Sequence, residues 1–288
     1  RPGIVSKRTA IAAAVARQGR FPVKRVAETF GVARSHLVVS LKVATPQAVV
    51  PAECSTSDHE LVTEIKSLVA SRATYGYRRV TAMLNRARRE RGAPQVNHKR
   101  IYRVMREHRL LLTRHTGKVT RTHDGKVATL KSDLRWCSDM LQLNCWNGER
   151  VYVGFVLDCC DREAISYVAA SACLDGGHVR DLVAQAVEAR FGAGATRVPH
   201  RIQFLSDNGA PYTSRESQAF MRLTGLEVCN TPAYSPESNG MAEAFVKTLK
   251  RDYVYVNDVP DAATVLRQLP AWFADYNAHH PHKALGMR

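Results

Sequence analysis

The stretch "LRWCSDMLQLNCWNGERVYVGFVLDCCDREAISYVAA" (residues 134–170) decides the fold. Its three apolar runs, rich in β-branched and aromatic residues, are parted by Asn147-Gly148, a strong hairpin signal, and by a polar reversal from Asp158 to Glu163. They read as three antiparallel strands. Beyond them the period changes. "DGGHVRDLVAQAVEARFG" (175–192) predicts a helix with Val179, Leu182, Val183, Ala186 and Val187 inward and Gly192 as its stop. "HRIQFLSD" predicts a buried strand ending on Asp207, "SRESQAFMRLTG" a helix and "LEVCNTPAYS" a strand and loop. "SPESNGMAEAFVKTLKRDYV" predicts a longer helix with Ser235 as N-cap and Pro236 in its first turn. An antiparallel start followed by alternating helices and strands is an α/β domain built on a mixed sheet.

Outward from this domain, toward the N-terminus, the charge changes. Residues 1–130 carry 26 Lys and Arg against 8 Asp and Glu, whereas residues 131–288 carry 16 against 18. A basic front half joined to a near-neutral back half suggests that the front grips a polyanion and the back acts on it. "VKRVAETFGVARSHLVVSLK" (23–42) has helix-turn-helix spacing, with a turn at Gly31-Val32 and a second helix that would present Arg34, Ser35 and His36 to base edges. A second all-α unit follows. In it "HELVTEIKSLVASR" is amphipathic through Leu61, Ile65, Leu68 and Val69, and "VNHKRIYRVMREHRLLL" has Asn97 as N-cap and Ile101, Val104 and Met105 as its core stripe. Lys99, Arg103 and Arg106 share another face, and Arg78, Arg79 and Arg100 add to the cations, so this unit reads as a second helix-turn-helix meeting DNA phosphates. The expected order is a DNA-binding unit at 1–45, a linker at 46–58, the second unit at 59–112, a basic linker at 113–131 and the catalytic domain at 132–288.

Composition narrows the classes further. No apolar run approaches the roughly 18 residues of a membrane span and no secretory leader opens the chain, so a soluble intracellular protein with no membrane partner is expected. Seven Cys without a C-x-x-C pair point to reduced thiols, mostly filling the core, rather than a disulfide framework.

The acids carry the chemistry. Asp139 lies inside the first strand, Asp207 ends a later one, and Glu243 sits on the last of the helices described above, at the margin of its buried stripe Ala242, Phe245, Val246, Leu249 and Tyr253. Each acid alone reads as structural. Together, an acid in a central strand, one at a strand end and one on a packed helix can converge on a divalent metal site. Asp158 and Asp161 are rival acids that read as turn residues. Hard carboxylate donors point to Mg²⁺ or Mn²⁺, and a pair of such ions supports in-line phosphoryl displacement. Lys247 and Lys250 cluster beside Glu243, placed to meet phosphates. Gly240, costly inside a helix, is explained by tolerance at the helix start or by close approach of something to the backbone.

Asp207 and Glu243 are separated by 35 residues, and "WCSD", "LDCCDREA", "SDNG", "NTPAYSPESNGMAEAFVKTLKRDY" and "YNAHHPHKALG" strongly resemble the DDE transposases of bacterial insertion sequences. The resemblance, which spans about 70–288 and includes "TYGYRRV" and "VNHKRIYRVMRE", is specifically to the second-reading-frame product of elements joined by programmed frameshifting. It implies an RNase H-like fold similar to retroviral integrases, with Asp139, Asp207 and Glu243 as catalytic, metal-binding triad and Lys250 at the element's end. It also implies two Mg²⁺-dependent steps, hydrolysis exposing a 3′-hydroxyl and attack of that hydroxyl on another strand. Expected partners are double-stranded DNA as transposon ends and target, further copies of the chain, and the first-reading-frame protein, in the bacterial cytoplasm at the nucleoid. The integrases' His/Cys zinc module is not found; His279, His280 and His282 lack Cys partners, and DNA or helix-end contacts are the better reading. The opening Arg1 and the stop soon after "YNAHHPHKALGMR" are expected of a fragment or of a frame separated from its upstream partner. Two other classes stay open: a DNA-binding remnant or regulator with an inactive catalytic domain, and a plain RNase H-type nuclease.

Overall fold

The computed structural model describes residues 7–42, 56–113, 129–230 and 239–287. The chain divides into two compact units, Arg1–Glu60 and Leu61–Arg288. In the first, α1 (Lys7–Arg17), α2 (Val23–Phe30) and α3 (Arg34–Lys42) close around Ala12, Ala13, Val26, Ala27 and Leu37. Gly31 ends α2 in the left-handed region at φ 59°, where its N–H reaches the Ala27 and Glu28 carbonyls, so the turn is made by the one residue type without a Cβ penalty there.

The second unit begins inside α4 (Thr56–Ser71) and continues with α5 (Tyr77–Glu90) and α6 (His98–Glu107). Helix α4 starts inside the stretch expected as a 46–58 linker; the rest of that stretch, up to residue 55, lies outside the described residues. Asp58 in its first turn favours helix over linker by complementing the dipole. The expected core stripe of α6 is buried, and the Asn97 side chain accepts from the Lys99 N–H as its cap. These helices close over Leu61, Ile65, Tyr75, Val80 and Leu84. Most of the basic linker expected at 113–131 falls outside the described residues.

A five-stranded sheet follows, β1 (Arg135–Asn144), β2 (Arg150–Asp158), β3 (Ala164–Ala170), β4 (Ile202–Ser206) and β5 (Leu226–Asn230), in the order β3-β2-β1-β4-β5. The β1–β2 and β2–β3 pairs are antiparallel, β1–β4 and β4–β5 parallel. This is the expected mixed sheet. On one face lies α7 (Gly176–Phe191), whose five expected inward residues are all buried, with α8 (Ala210–Thr213) and α9 (Arg215–Leu223) beside it. The packing is close at Gly154 in β2, where an added Cβ would stand 3.2 Å from Leu174 Cδ1 and that side chain would have to give by a few tenths of an ångström. The other face is covered by α10 (Gly240–Asp252) and α11 (Ala262–His279). Helix α10 begins at Gly240; Ser235 and Pro236, expected as its cap and first turn, lie outside the described residues. A Cβ at Gly240 would meet nothing within 4 Å, so within this chain the helix start explains the glycine.

Candidate active site

The sheet register places the first two acids. Strands β1 and β4 run parallel with Arg135 opposite Gln203 and pair as far as Cys137 opposite Leu205. Asp139 and Asp207 each lie two residues further along, so they stand level where the strands part. Side chains alternate along a strand, and Cys137 and Leu205 belong to the core on the α10 face. Asp139 and Asp207 therefore head toward that face. Across β2, Asp139 stands opposite Phe155, whose ring packs 4.5 Å from Phe245 of α10. Glu243 precedes Phe245 by two positions, on the margin of the buried stripe Ala242, Phe245 and Leu249.

Electrostatics reports the convergence. Burial, followed by the charges of Asp207 and Glu243, pushes the Asp139 carboxyl up to about 6, against a stabilising hydrogen bond of 2.8 Å from the Met140 N–H. Asp207 Oδ1 accepts from the Gly209 N–H at 3.0 Å, which answers why a buried strand ends on Asp-Asn-Gly: the turn fixes the carboxylate at the strand's tip. Glu243 is half-exposed and paired with Lys247 at 2.9 Å. Among the described residues no group of three His, Cys, Asp or Glu is drawn to metal-holding distance. The donor set is all carboxylate and suits a hard cation such as Mg²⁺ or Mn²⁺.

Four supports were not legible beforehand. The buried Asn239 donates from Nδ2 to the Ser138 carbonyl at 2.9 Å, fastening the start of α10 to β1 next to Asp139. Ser138 and Tyr212 share a buried hydroxyl contact of 2.7 Å beneath the same strand. At the far end of α10, the buried Asp252 accepts from Thr74 at 2.7 Å and Arg79 at 3.0 Å, which ties α10 to the α4–α6 helices. A parallel link joins Arg72 to Asp275 of α11.

The rival acids are structural. Asp158 is fully buried and caps the Asp133, Cys160 and Asp161 N–H groups, while Asp161 binds Arg190 at 2.8 Å. Arg190 also faces Asp133 and Glu163 at 3.3 and 3.0 Å, one guanidinium balancing a ring of carboxylates. Of the expected DNA contacts, Arg34, Ser35 and His36 are exposed at the start of α3. Arg78 is exposed and rests 5.3 Å from the Tyr77 ring centroid, and Lys99 is exposed at the start of α6, with Arg100 and Arg103 half-buried on it. Arg79 instead turns inward to Asp252. Lys250 is half-buried one turn beyond Lys247. His279 sits 3.3 Å from Asp275 at the end of α11, a helix-end contact, whereas His280 is buried 3.2 Å from the Tyr75 hydroxyl. Of the six described cysteines, Cys137, Cys145 and Cys159 are buried, and none is in a disulfide. Among the described residues no helix is long and apolar enough to cross a membrane.

Residues 130–236 and 224–288 match family models described as integrase core domain, and residues 56–118 match one described as HTH-like domain. The mixed sheet and these matches define an integrase-type catalytic core joined to an HTH-like domain. The chain is 44% identical over 235 residues, 81% of its length and 77% of the relative's, to "Transposase InsD for insertion element IS2D" of Escherichia coli K12. It matches equally the transposase InsD of the IS2 element on the F plasmid. The chain belongs to the insertion-element transposases and is a DNA-binding polynucleotidyl transferase. Among solved structures, the Mos1 transposase catalytic domain with raltegravir and Mg aligns at TM-score 0.42 and 18% identity, covering 49% of this chain and 71% of that one. The HTLV-2 integrase catalytic core in complex with magnesium aligns at TM-score 0.38 and 14% identity, covering 52% and 89%.

Proposed function

We propose that Asp139, Asp207 and Glu243 are the catalytic triad of a transposase that binds the terminal inverted repeats of its insertion sequence and, with Mg²⁺ or Mn²⁺, cleaves and transfers DNA strands. The observation that carries this reading is the shared level of Asp139 and Asp207 on the sheet face covered by the helix that bears Glu243. The three carboxylates would hold the cations, probed below by chelation, which when bound supply charge neutralisation at the scissile phosphate and a more acidic water or 3′-hydroxyl. The chain's own residues do the positioning. Gly209 and Met140 orient two of the acids through their N–H groups, and Asn239 keeps α10 in place over β1. Lys247 exchanges its pairing with Glu243 for a phosphate when DNA arrives, which releases the carboxylate for its ligand role. Lys250 continues the same basic edge toward the transposon end.

Recognition falls to the two helical units, through Arg34, Ser35 and His36 on α3 and Arg78, Lys99, Arg100 and Arg103 on α5 and α6. Arg79 supports docking of the second unit. Two ends must be brought together, so the active species is a homo-oligomer on DNA, with the first-reading-frame protein as a further partner, in the bacterial cytoplasm.

The test is strand cleavage and joining on a labelled duplex carrying the terminal repeat, with Mg²⁺ and with EDTA, for the wild type, Asp207→Asn and Glu243→Gln. Metal-dependent products that vanish in both variants are expected. Full activity in either variant sinks the triad assignment. Tight repeat binding without products from any of the three proteins favours the regulator reading.

A further inference from the structure

The motif from Tyr276 to Gly286 has no part in the chemistry above. Two of its histidines, His280 and His282, line a cleft of about 170 Å³ together with Arg79, Arg162, Thr248 and Lys283. Ala244 and Thr248 of α10 form one wall. At about 100° per residue they lie roughly 100° and 140° around the helix from Glu243, so the cleft is on another flank from the triad.

Three cations meet there. Arg79 is paired with Asp252 at 3.0 Å, but Arg162 and Lys283 form no ion pair among the described residues. Arg162 also has a buried Nε without a hydrogen-bond partner. Asp158 borders the cleft, yet its carboxylate is fully buried and occupied by three backbone N–H groups. Burial and the charge of Arg79 hold the His280 imidazole down at about 3, and burial and Arg162 hold His282 at about 4, although Asp252 lies 3.8 Å from His280. Both rings stay neutral and retain N–H donors. The volume is below the roughly 300–1,000 Å³ of small-molecule pockets. It equals the space of about five or six waters, enough for an anion the size of one phosphate. Guanidinium groups suit such an oxyanion because their planar fork donates two parallel hydrogen bonds.

We propose that this cleft, walled by Arg79, Arg162, His280, His282 and Lys283, seats a backbone phosphate of the bound DNA. The inference rests on the transposase reading for its ligand but concerns a site apart from the triad and from the residues proposed to read the DNA sequence.

The experiment measures binding of the full chain to a labelled terminal-repeat duplex and to a scrambled duplex of equal length across salt concentrations. Neutralising one phosphate contributes about 0.9 to the slope of log K against log salt. Arg162→Gln and Lys283→Gln are each expected to lower that slope by a share of this value, and by up to about 0.9 when combined, equally on both duplexes, because a phosphate contact carries no sequence information. Arg162→Lys, which keeps the charge, is expected to restore it. Unchanged slopes in both Gln variants overturn the proposal; if Arg162→Gln fails to fold, Lys283→Gln on its exposed side chain decides alone. Lowered slopes in a protein with no preference for the repeat would remove the transposon-end reading and keep the phosphate seat. Repeat preference with unchanged slopes would remove the seat only.

Discussion

Replacing Asp252 by Ala removes the carboxylate that fastens α10 to the α4–α6 helices. Its side chain is 1% exposed and serves Arg79, which is 24% exposed, and Arg251, which is 46% exposed. Taking one partner from a buried ion pair costs about 3–5 kcal/mol because the other charge is left uncompensated. Both guanidinium groups here reach water, so the low end, about 3 kcal/mol, is expected. With about 2–4 °C lost per kcal/mol in a domain of this size, thermal unfolding at pH 7 should move down by roughly 6–12 °C. The effect also has a sign in pH. Burial alone would raise the Asp252 carboxyl, but hydrogen bonds from Arg251 and Thr74 and the charges of Arg251 and Arg79 outweigh it and hold the group below 3.8. A depressed carboxyl stabilises the fold fully above the unfolded value of about 3.9 and loses that contribution as pH falls through the folded value. The gap between wild type and Asp252→Ala should therefore be constant from pH 7 to about 5 and narrow below 4. A shift under 2 °C at pH 7, or a gap indifferent to pH, would refute the account of this clasp.

Phe245→Ala empties the contact among Phe155, Phe273 and Tyr276 and should cost about 3–5 kcal/mol in urea unfolding, whereas Tyr255→Ala, at a 74% exposed side chain, should stay within about 0.5 kcal/mol. Arg190→Ala should destabilise by about 3 kcal/mol by leaving Asp133, Asp161 and Glu163 to repel one another, and raised salt should recover part of the loss in the same unfolding assay. Gly240→Ala meets no neighbour within 4 Å and should raise stability by about 0.5–1 kcal/mol; stable protein with impaired strand transfer would show that DNA approaches this turn.

Local chemistry was readable in advance where short-range signals decide structure. Asn147-Gly148 set the β1–β2 hairpin, and the five inward residues of α7 followed from helical period alone. The acids were visible as acids, but their common level was not, since it comes from a parallel register between strands joined through α7. Arg79 illustrates the limit best. On sequence it is one more cation of a helix-turn-helix, and its partner Asp252 stands 173 residues away, where no periodicity can reveal it. Asn239 fell inside the helix expected from Ser235 onward, and only packing shows it as the tie between the start of α10 and β1. The short helix α8 was missed because four residues are too few for a periodic signal.

Helix α10 carries Glu243 in its first turn and Asp252 in its last. Nine residues at 1.5 Å each separate them by about 14 Å, and a hydrogen-bonded helix does not stretch. At 3.4 Å per base pair along one strand, that is the length of about four base pairs. The fold thus contains a ruler: the distance from the docking point of the α4–α6 helices to the proposed catalytic acid is fixed by a count of residues. Inserting one turn of helix between Thr248 and Asp252 would move the two marks apart by about 5.4 Å without touching either.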